Sequence, residues 1–168
     1  VYEEGIAHPI LLGDKKIIDD LRKLIEFDAS IEIIDPKEQN QEEIRKKYAE
    51  LFWNAQNRKG YTLYDAERLM RERNYFASMM ITNGDADAMI SGYSRNYRSV
   101  VKPILETTSK VKGVRRVAAT NLMLTKSGPL FLSDTTINVE PSAKELAKIA
   151  QMSGQMAKLF GLEPVVAM

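Results

Sequence analysis

The chain has no cysteine in its 168 residues and a single histidine, His8. The first absence excludes disulfides, thiolate metal ligands and a cysteine nucleophile. The second means that a histidine-based triad would have to use His8, which precedes Pro9 outside any serine cluster and reads as structural or surface-exposed. An excess of one charge is lacking too: 24 Lys and Arg face 23 Asp and Glu, and the net charge of +1 gives no global field for nucleic acid or an anionic membrane. No apolar run approaches the roughly 20 residues that span a bilayer, and the opening residues lack the basic-then-apolar layout of a signal peptide. The expectation is a soluble, cytoplasmic protein with neither nucleic acid nor membrane as partner. Neither a G-x-G-x-x-G nor a G-x-x-x-x-G-K-[ST] run occurs, so dinucleotide and Walker-type binding have no support. Repeats and low-complexity tracts are also missing.

What is present suits one ordinary domain or two small lobes, with 44% hydrophobic residues to fill a core. Val1 to Pro9 reads as the last turn of a helix stopped by Gly5, and Pro164 to Met168 as the start of a strand, so the chain is expected to be a fragment of something longer. Between them strands and helices alternate. Ile10 to Leu12 reads as a buried strand, and Asp14 caps a helix over Lys15 to Phe27 with Ile17, Leu21, Leu24 and Ile25 on its apolar face. The strand Ile31 to Ile34 follows, then a charged helix over Gln41 to Asn57 with Ile44, Tyr48, Leu51 and Phe52 inward. Thr62 is the expected N-cap of a helix through Arg73, and Asn74 that of a helix over Tyr75 to Thr82. A glycine-flanked strand is read at Ala86 to Ser91. The helix from Asn96 to Thr107 turns Val100, Val101, Ile104 and Leu105 inward, with Pro103 in its first turns or at a kink. Val117 to Thr125 and Leu130 to Ser133 flank Lys126 to Pro129, a hairpin turn. Pro141 and Ser142 open a helix over Ala143 to Phe160 whose inward line is Ala143, Leu146, Ala147, Ala150, Gly154, Ala157 and Phe160; its small residues suit an interface or a mobile element. Alternating strands and helices predict an α/β fold with a mostly parallel sheet, and a composition break across 92–112 predicts a boundary between two lobes.

Chemistry concentrates in Asn83 to Tyr97, where two carboxylates, two glycines and a polar cluster surround a short apolar run. Glycine allows close backbone approach, so the stretch reads as the wall of a site. Arg95, Arg98 and Lys102 then stand at the opening of a helix, where backbone N–H groups and the dipole favour an anion. Two readings stay open for them: a solvated helix start, or recognition of phosphate groups. Ser133 to Pro141, polar and placed between a strand end and a helix, is a second candidate, equally readable as turn and cap chemistry. Asp85-x-Asp87 lacks the rest of an EF-hand pattern, so no metal is expected.

Tyr75 to Met80, Gly84-Asp85-Ala86-Asp87, Ser91-Gly92, Lys102-Pro103, Asp134 to Pro141 and Gly161-Leu162-Glu163-Pro164 resemble, in order and spacing, the phosphate acetyltransferase (phosphotransacetylase) family. The resemblance implies a two-lobed, three-layer α/β/α architecture related to isocitrate and isopropylmalate dehydrogenases, with coenzyme A and acyl phosphate meeting between the lobes. It also implies a homodimer through the second lobe. Where the family reads G-A-x-H-[ST]-T-A-[DN]-T-x-R-P, this chain runs from Gly92 to Pro103 with the Ser/Thr pair gone and Lys102 in place of the Arg. A second family Arg falls on Gln56, with Arg58 close by. Replacing a bidentate guanidinium by an ammonium or an amide removes the fork geometry. The family's loop with a catalytic serine would follow Pro164 to Met168.

Asn96-Tyr97, Lys102 and Asp134-Thr135 narrow the likeness to the acetyltransferase-like C-terminal domain of large hybrid NADP-dependent malic enzymes. That resemblance implies a regulatory domain that binds acetyl-CoA and holds subunits together as a homo-oligomer, without catalytic residues of its own. NADP and a divalent metal would belong to a separate malate-decarboxylating portion, and this domain would need no cofactor. The ligand contacts it implies are Ser91, Gly92, Arg95, Asn96, Tyr97, Arg98, Lys102, Asp134 and Asn138. An active acetyltransferase, with Lys102 in the place of the Arg, is the alternative.

Overall fold

Strand β1 (Ile10–Leu12) runs parallel to β2 (Glu32–Ile34), Ile10 opposite Glu32 and Leu12 opposite Ile34, in the computed structural model. The structure describes residues 1–27, 30–110, 114 and 116–168. Helix α1 (Lys15–Leu24) joins the two strands and starts where expected, because the Asp14 carboxylate accepts the Ile17 N–H at 3.0 Å. Its expected inward face is not inward. Ile17, Leu21, Leu24 and Ile25 are 60, 55, 78 and 69% exposed. Periodicity establishes that a helix has an apolar stripe, whereas burial needs an opposing surface, and strands of three residues offer little.

The core of this first unit, Val1–Ser109, is made by helices. Helix α2 (Glu42–Gln56) follows a 3-10 turn, and α3 (Leu63–Leu69) and α4 (Arg73–Asn83) pack against it. Tyr48, Phe52, Met70, Phe76 and Met79 are buried together, with Ile10, Leu12 and Ile34 of the strands laid on them. Tyr48 meets Phe76 edge-on with centroids 5.2 Å apart, and Phe52 meets Tyr61 at 5.2 Å and Tyr75 at 5.8 Å. Such pairs add about 0.5–1.5 kcal/mol each beyond burial. Ile44 and Leu51, expected inward, remain about 40% exposed because they flank the packed stripe.

Thr62 and Asp65 form a capping box at the start of α3, which ends at Leu69 instead of reaching Arg73. Asn74 is no cap: it lies inside α4, buried. Among the described residues, Ala86 to Ser91 pairs with no strand. Gly84, at φ 83°, closes α4 in the left-handed conformation, and the chain leaves as a loop with Ile90 fully exposed. A short apolar run bounded by glycines fits a strand or a loop equally, and pairing decides.

Helix α5 (Tyr97–Thr107) is capped by the Asn96 side chain, which accepts the Ser99 N–H at 2.9 Å. Pro103 is its seventh residue, buried, well past the first turn. Proline has no N–H for the carbonyl four residues back, that of Ser99. The Asn74 amide supplies the missing donor, Nδ2 to Ser99 O at 3.2 Å. This explains why a polar side chain is buried on α4.

The second unit is Lys110–Met168; positions 111 and 112 of the expected boundary region lie outside the described residues. Strands β3 (Thr120–Thr125) and β4 (Gly128–Ser133) form the expected antiparallel hairpin, Thr120 opposite Ser133 and Thr125 opposite Gly128. The turn is only Lys126-Ser127, so Gly128 and Pro129 belong to the strand; a two-stranded ribbon has edges that tolerate proline. Helix α6 (Ala143–Leu159) is opened by a Ser142–Glu145 capping box. Its buried residues are Ile149 and Ala157, and Leu146 is largely exposed. Phe160, just beyond α6, packs on Phe131 of β4 with centroids 5.5 Å apart. The described residues form a mixed α/β chain with one small parallel and one small antiparallel sheet.

Candidate functional site

The loop after α4 is fixed from below by Asn74. Its Oδ1 accepts the Ser91 hydroxyl at 2.9 Å while its amide holds Ser99 O, so one buried side chain ties Ser91 to the first turn of α5. Gly92, at φ 124°, follows in a conformation that a side chain would strain. Asn96 spends its side chain on the α5 cap, and Tyr97 is that helix's half-exposed first residue. Arg95 pairs with Glu72 at 3.7 Å, both partly exposed. Arg98 is exposed and makes no ion pair among the described residues.

Lys102, two turns along α5, is the most structured of the cations. Its ammonium lies 3.8 Å from Glu106 Oε1, and the Glu106 side chain is only 19% exposed. That carboxylate also accepts the Tyr61 hydroxyl at 2.9 Å and the Tyr75 hydroxyl at 2.5 Å. Burial and the neighbouring carboxylate push both phenols up, Tyr75 well above its ordinary range, while Lys102 works against this at Tyr61. The Gln56 amide donates to the Glu106 backbone carbonyl, and Gln56 itself is buried. Beside Lys102 opens a cavity of about 360 Å³, lined by Lys59, Gly60, Tyr61, Asp65, Arg68, Leu69 and Lys102. It holds three cationic groups against one carboxylate, a lining suited to an anion.

Asp85 accepts hydrogen bonds from Tyr48 and Asn83, of which the Tyr48 hydroxyl does most to lower its pKa. It therefore anchors the end of α4. Among the described residues no cluster of three or more His, Asp or Glu could hold a metal ion.

In the second unit Asp134 organises its loop. One carboxylate oxygen accepts the N–H groups of Ala119, Thr136 and Ile137 at 3.0, 3.1 and 3.2 Å; the other accepts that of Asn138 at 2.9 Å and the Asn138 amide. Burial pushes its pKa up, yet these donors outweigh it and hold the group at about 2. The Asn138 amide also reaches Val117 O at 3.0 Å. Both residues are thus spent on the loop's own shape. Ser91, Gly92, Arg95, Asn96, Tyr97, Arg98 and Lys102 belong to the first unit, Asp134 and Asn138 to the second.

Sequence reasoning passed over Glu106, Tyr61, Lys59 and Arg68. One signal was available: Lys102 and Glu106 stand four apart on a helix, a spacing that brings side chains together. The tyrosines arrive from other helices, and nothing local announces them.

Residues 1–168 match the phosphate acetyl/butaryl transferase family. The chain belongs to that family. A phosphate acetyltransferase of Helicobacter pylori is 35% identical over 98% of this chain and 31% of its own length. An NADP-dependent malic enzyme of Haemophilus influenzae is 34% identical over the whole chain, which covers 22% of that protein. A phosphotransacetylase from Streptococcus pyogenes of known structure superposes with a TM-score of 0.81 at 29% identity, over 96% of this chain and 49% of that one. A phosphotransacetylase-like domain is thus common to phosphate acetyltransferases and malic enzymes, and this chain spans from 22 to 52% of the length of such relatives. No helix among the described residues is long and apolar enough to cross a membrane.

Proposed function

We propose that this phosphotransacetylase-like domain binds acetyl-CoA as a regulatory and oligomerising part of an NADP-dependent malic enzyme, without itself moving acetyl to phosphate. The observation that supports it most is the state of the two positions where the family resemblance expects arginines. Gln56 is buried with its amide on the Glu106 carbonyl, and Lys102 shares its charge with the Glu106 carboxylate. Acyl transfer to phosphate gains from a preorganised fork that grips developing charge. An amide turned into the core and a counter-ion-bound ammonium supply attraction without that grip. Lys102, Arg98 and Arg95 remain able to meet the phosphates of the ligand, with Ser91, Gly92, Asn96 and Tyr97 shaping the wall.

Regulation demands that acetyl-CoA bind two arrangements of the oligomer unequally, because a ligand with equal affinities shifts nothing. Calorimetric titration of the full-length protein is expected to give saturable heat with acetyl-CoA, and no release of CoA thiol when phosphate is added. Steady thiol release would overturn the non-transferring part. That outcome would favour an active acetyltransferase, a reading supported by the identity to phosphate acetyltransferases and by the cationic cavity beside Lys102.

A further inference from the structure

Glu106 stands behind the cavity wall with its carboxylate fixed from three sides. Tyr61 and Tyr75 each donate a hydroxyl, at 2.9 and 2.5 Å, and the Lys102 ammonium lies 3.8 Å away. Fixing of this kind is what distinguishes it from an ordinary helix-surface pair. The exposed pair Glu42–Lys46 rests on one contact between two free side chains, a type of interaction that contributes little. Glu106 cannot swing away from Lys102 without abandoning two phenols that are themselves partly buried.

The consequence lies in the charge that the cavity presents. Lys59, Arg68 and Lys102 bring three positive groups. Asp65 lies 3.7 Å from Arg68, and Glu106 offsets Lys102, which leaves one net positive charge. A site with one net positive charge suits a group carrying one negative charge. A dianionic phosphate monoester or free phosphate would meet the immobile Glu106 carboxylate with its second charge.

We propose that Glu106 is a specificity-determining residue that makes the Lys102 cavity favour singly charged phosphodiester groups, such as those in the diphosphate bridge of an acyl-CoA, over dianionic phosphate. This rests on the reading that the domain takes a phosphate-bearing ligand, and it adds a reason why free phosphate is a poor second ligand here. Glu106→Gln keeps an oxygen for one phenol and an N–H for the other while removing the charge. Lys102→Met removes the counter-ion of Glu106 and leaves its carboxylate held by the two phenols.

The test is a set of NMR titrations of the full chain at pH 8, following the Gly60, Tyr61 and Lys102 amides with inorganic phosphate and with diethyl phosphate. The wild type is expected to bind the diester at least as well as phosphate. Glu106→Gln should tighten phosphate about fivefold, as loss of one nearby like charge in water-like surroundings implies, with a smaller change for the diester. In the Lys102→Met background, where the carboxylate has lost its counter-ion, the same substitution should shift the ratio of the two affinities in the same direction and by at least as much. An unaltered ratio in Glu106→Gln, or no response of these amides to either anion, overturns the proposal. If Glu106→Gln does not fold, Tyr61→Phe, which frees one carboxylate oxygen, should shift the ratio the same way by a smaller factor, and no shift counts against it. Acetyl-CoA is titrated in parallel: a shifted anion ratio without acetyl-CoA binding removes the acetyl-CoA reading and leaves the role of Glu106 standing.

Discussion

At the scale of the single residue, the sharpest statement concerns Asp134. Its carboxylate takes four backbone N–H groups and one side-chain amide, and its pKa is held at about 2. A group whose folded pKa lies below its unfolded value stabilises the fold above the unfolded pKa, and that contribution fades as pH falls toward the folded one. The Asp134 contribution should therefore be complete above about pH 5 and decline between the ordinary Asp value of about 4 and pH 2. Asp134→Asn sets an amide donor against the N–H groups that one oxygen accepted. We expect it to lower stability near pH 7 by about 2 kcal/mol. The difference from wild type should shrink steadily below pH 4, in urea unfolding followed by circular dichroism. A difference independent of pH from 7 to 2.5 would remove the carboxylate from the account. The family resemblance implied Asp134 and Asn138 as ligand contacts, while their place beyond a strand end suits both a site and a loop. The donors around the carboxylate show its part in the loop.

At the scale of the element, α4 and α5 depend on each other through Asn74 and Pro103. The proline leaves Ser99 O without a helical donor, and Asn74 provides one. Asn74→Ala should cost about 1–3 kcal/mol, the usual penalty for a buried group left unpaired. Pro103→Ala restores the N–H, so in that background Asn74→Ala should cost less by about 1 kcal/mol in a double-mutant cycle. Equal costs in both backgrounds would contradict the coupling. Thr62→Ala, which opens the capping box of α3, should destabilise by about 1 kcal/mol in the same assay. Caps of this kind were legible, since Asp14, Thr62, Asn96 and Ser142 each stand where a helix begins. The faces of helices were less so. Ile17 and Leu21 have the right spacing for burial yet face solvent, while Ile149 is buried outside the expected stripe of α6. Spacing fixes which residues share a face, and the neighbouring elements decide which face is covered. Ala86 to Ser91 is a loop for the same reason, having no partner strand among the described residues.

At the scale of the whole molecule, short ordered motifs such as Gly84-Asp85-Ala86-Asp87 and Gly161-Leu162-Glu163-Pro164 carried the family. The membership of residues 1–168 in the phosphate acetyl/butaryl transferase family bears that reading out. Family membership does not carry the chemistry, because a phosphate acetyltransferase and a malic enzyme are 35 and 34% identical to this chain. Between those two lies the question of what Lys102 and Gln56 do to a bound phosphate. The most direct measurement is an equilibrium titration of acetyl-CoA against the full-length protein and its Lys102→Met variant. The account expects saturable binding below about 1 mM for the wild type and an affinity reduced about tenfold in the variant, the size of one lost charge-assisted contact. Absence of heat up to millimolar acetyl-CoA, or equal affinity for the two proteins, would contradict it.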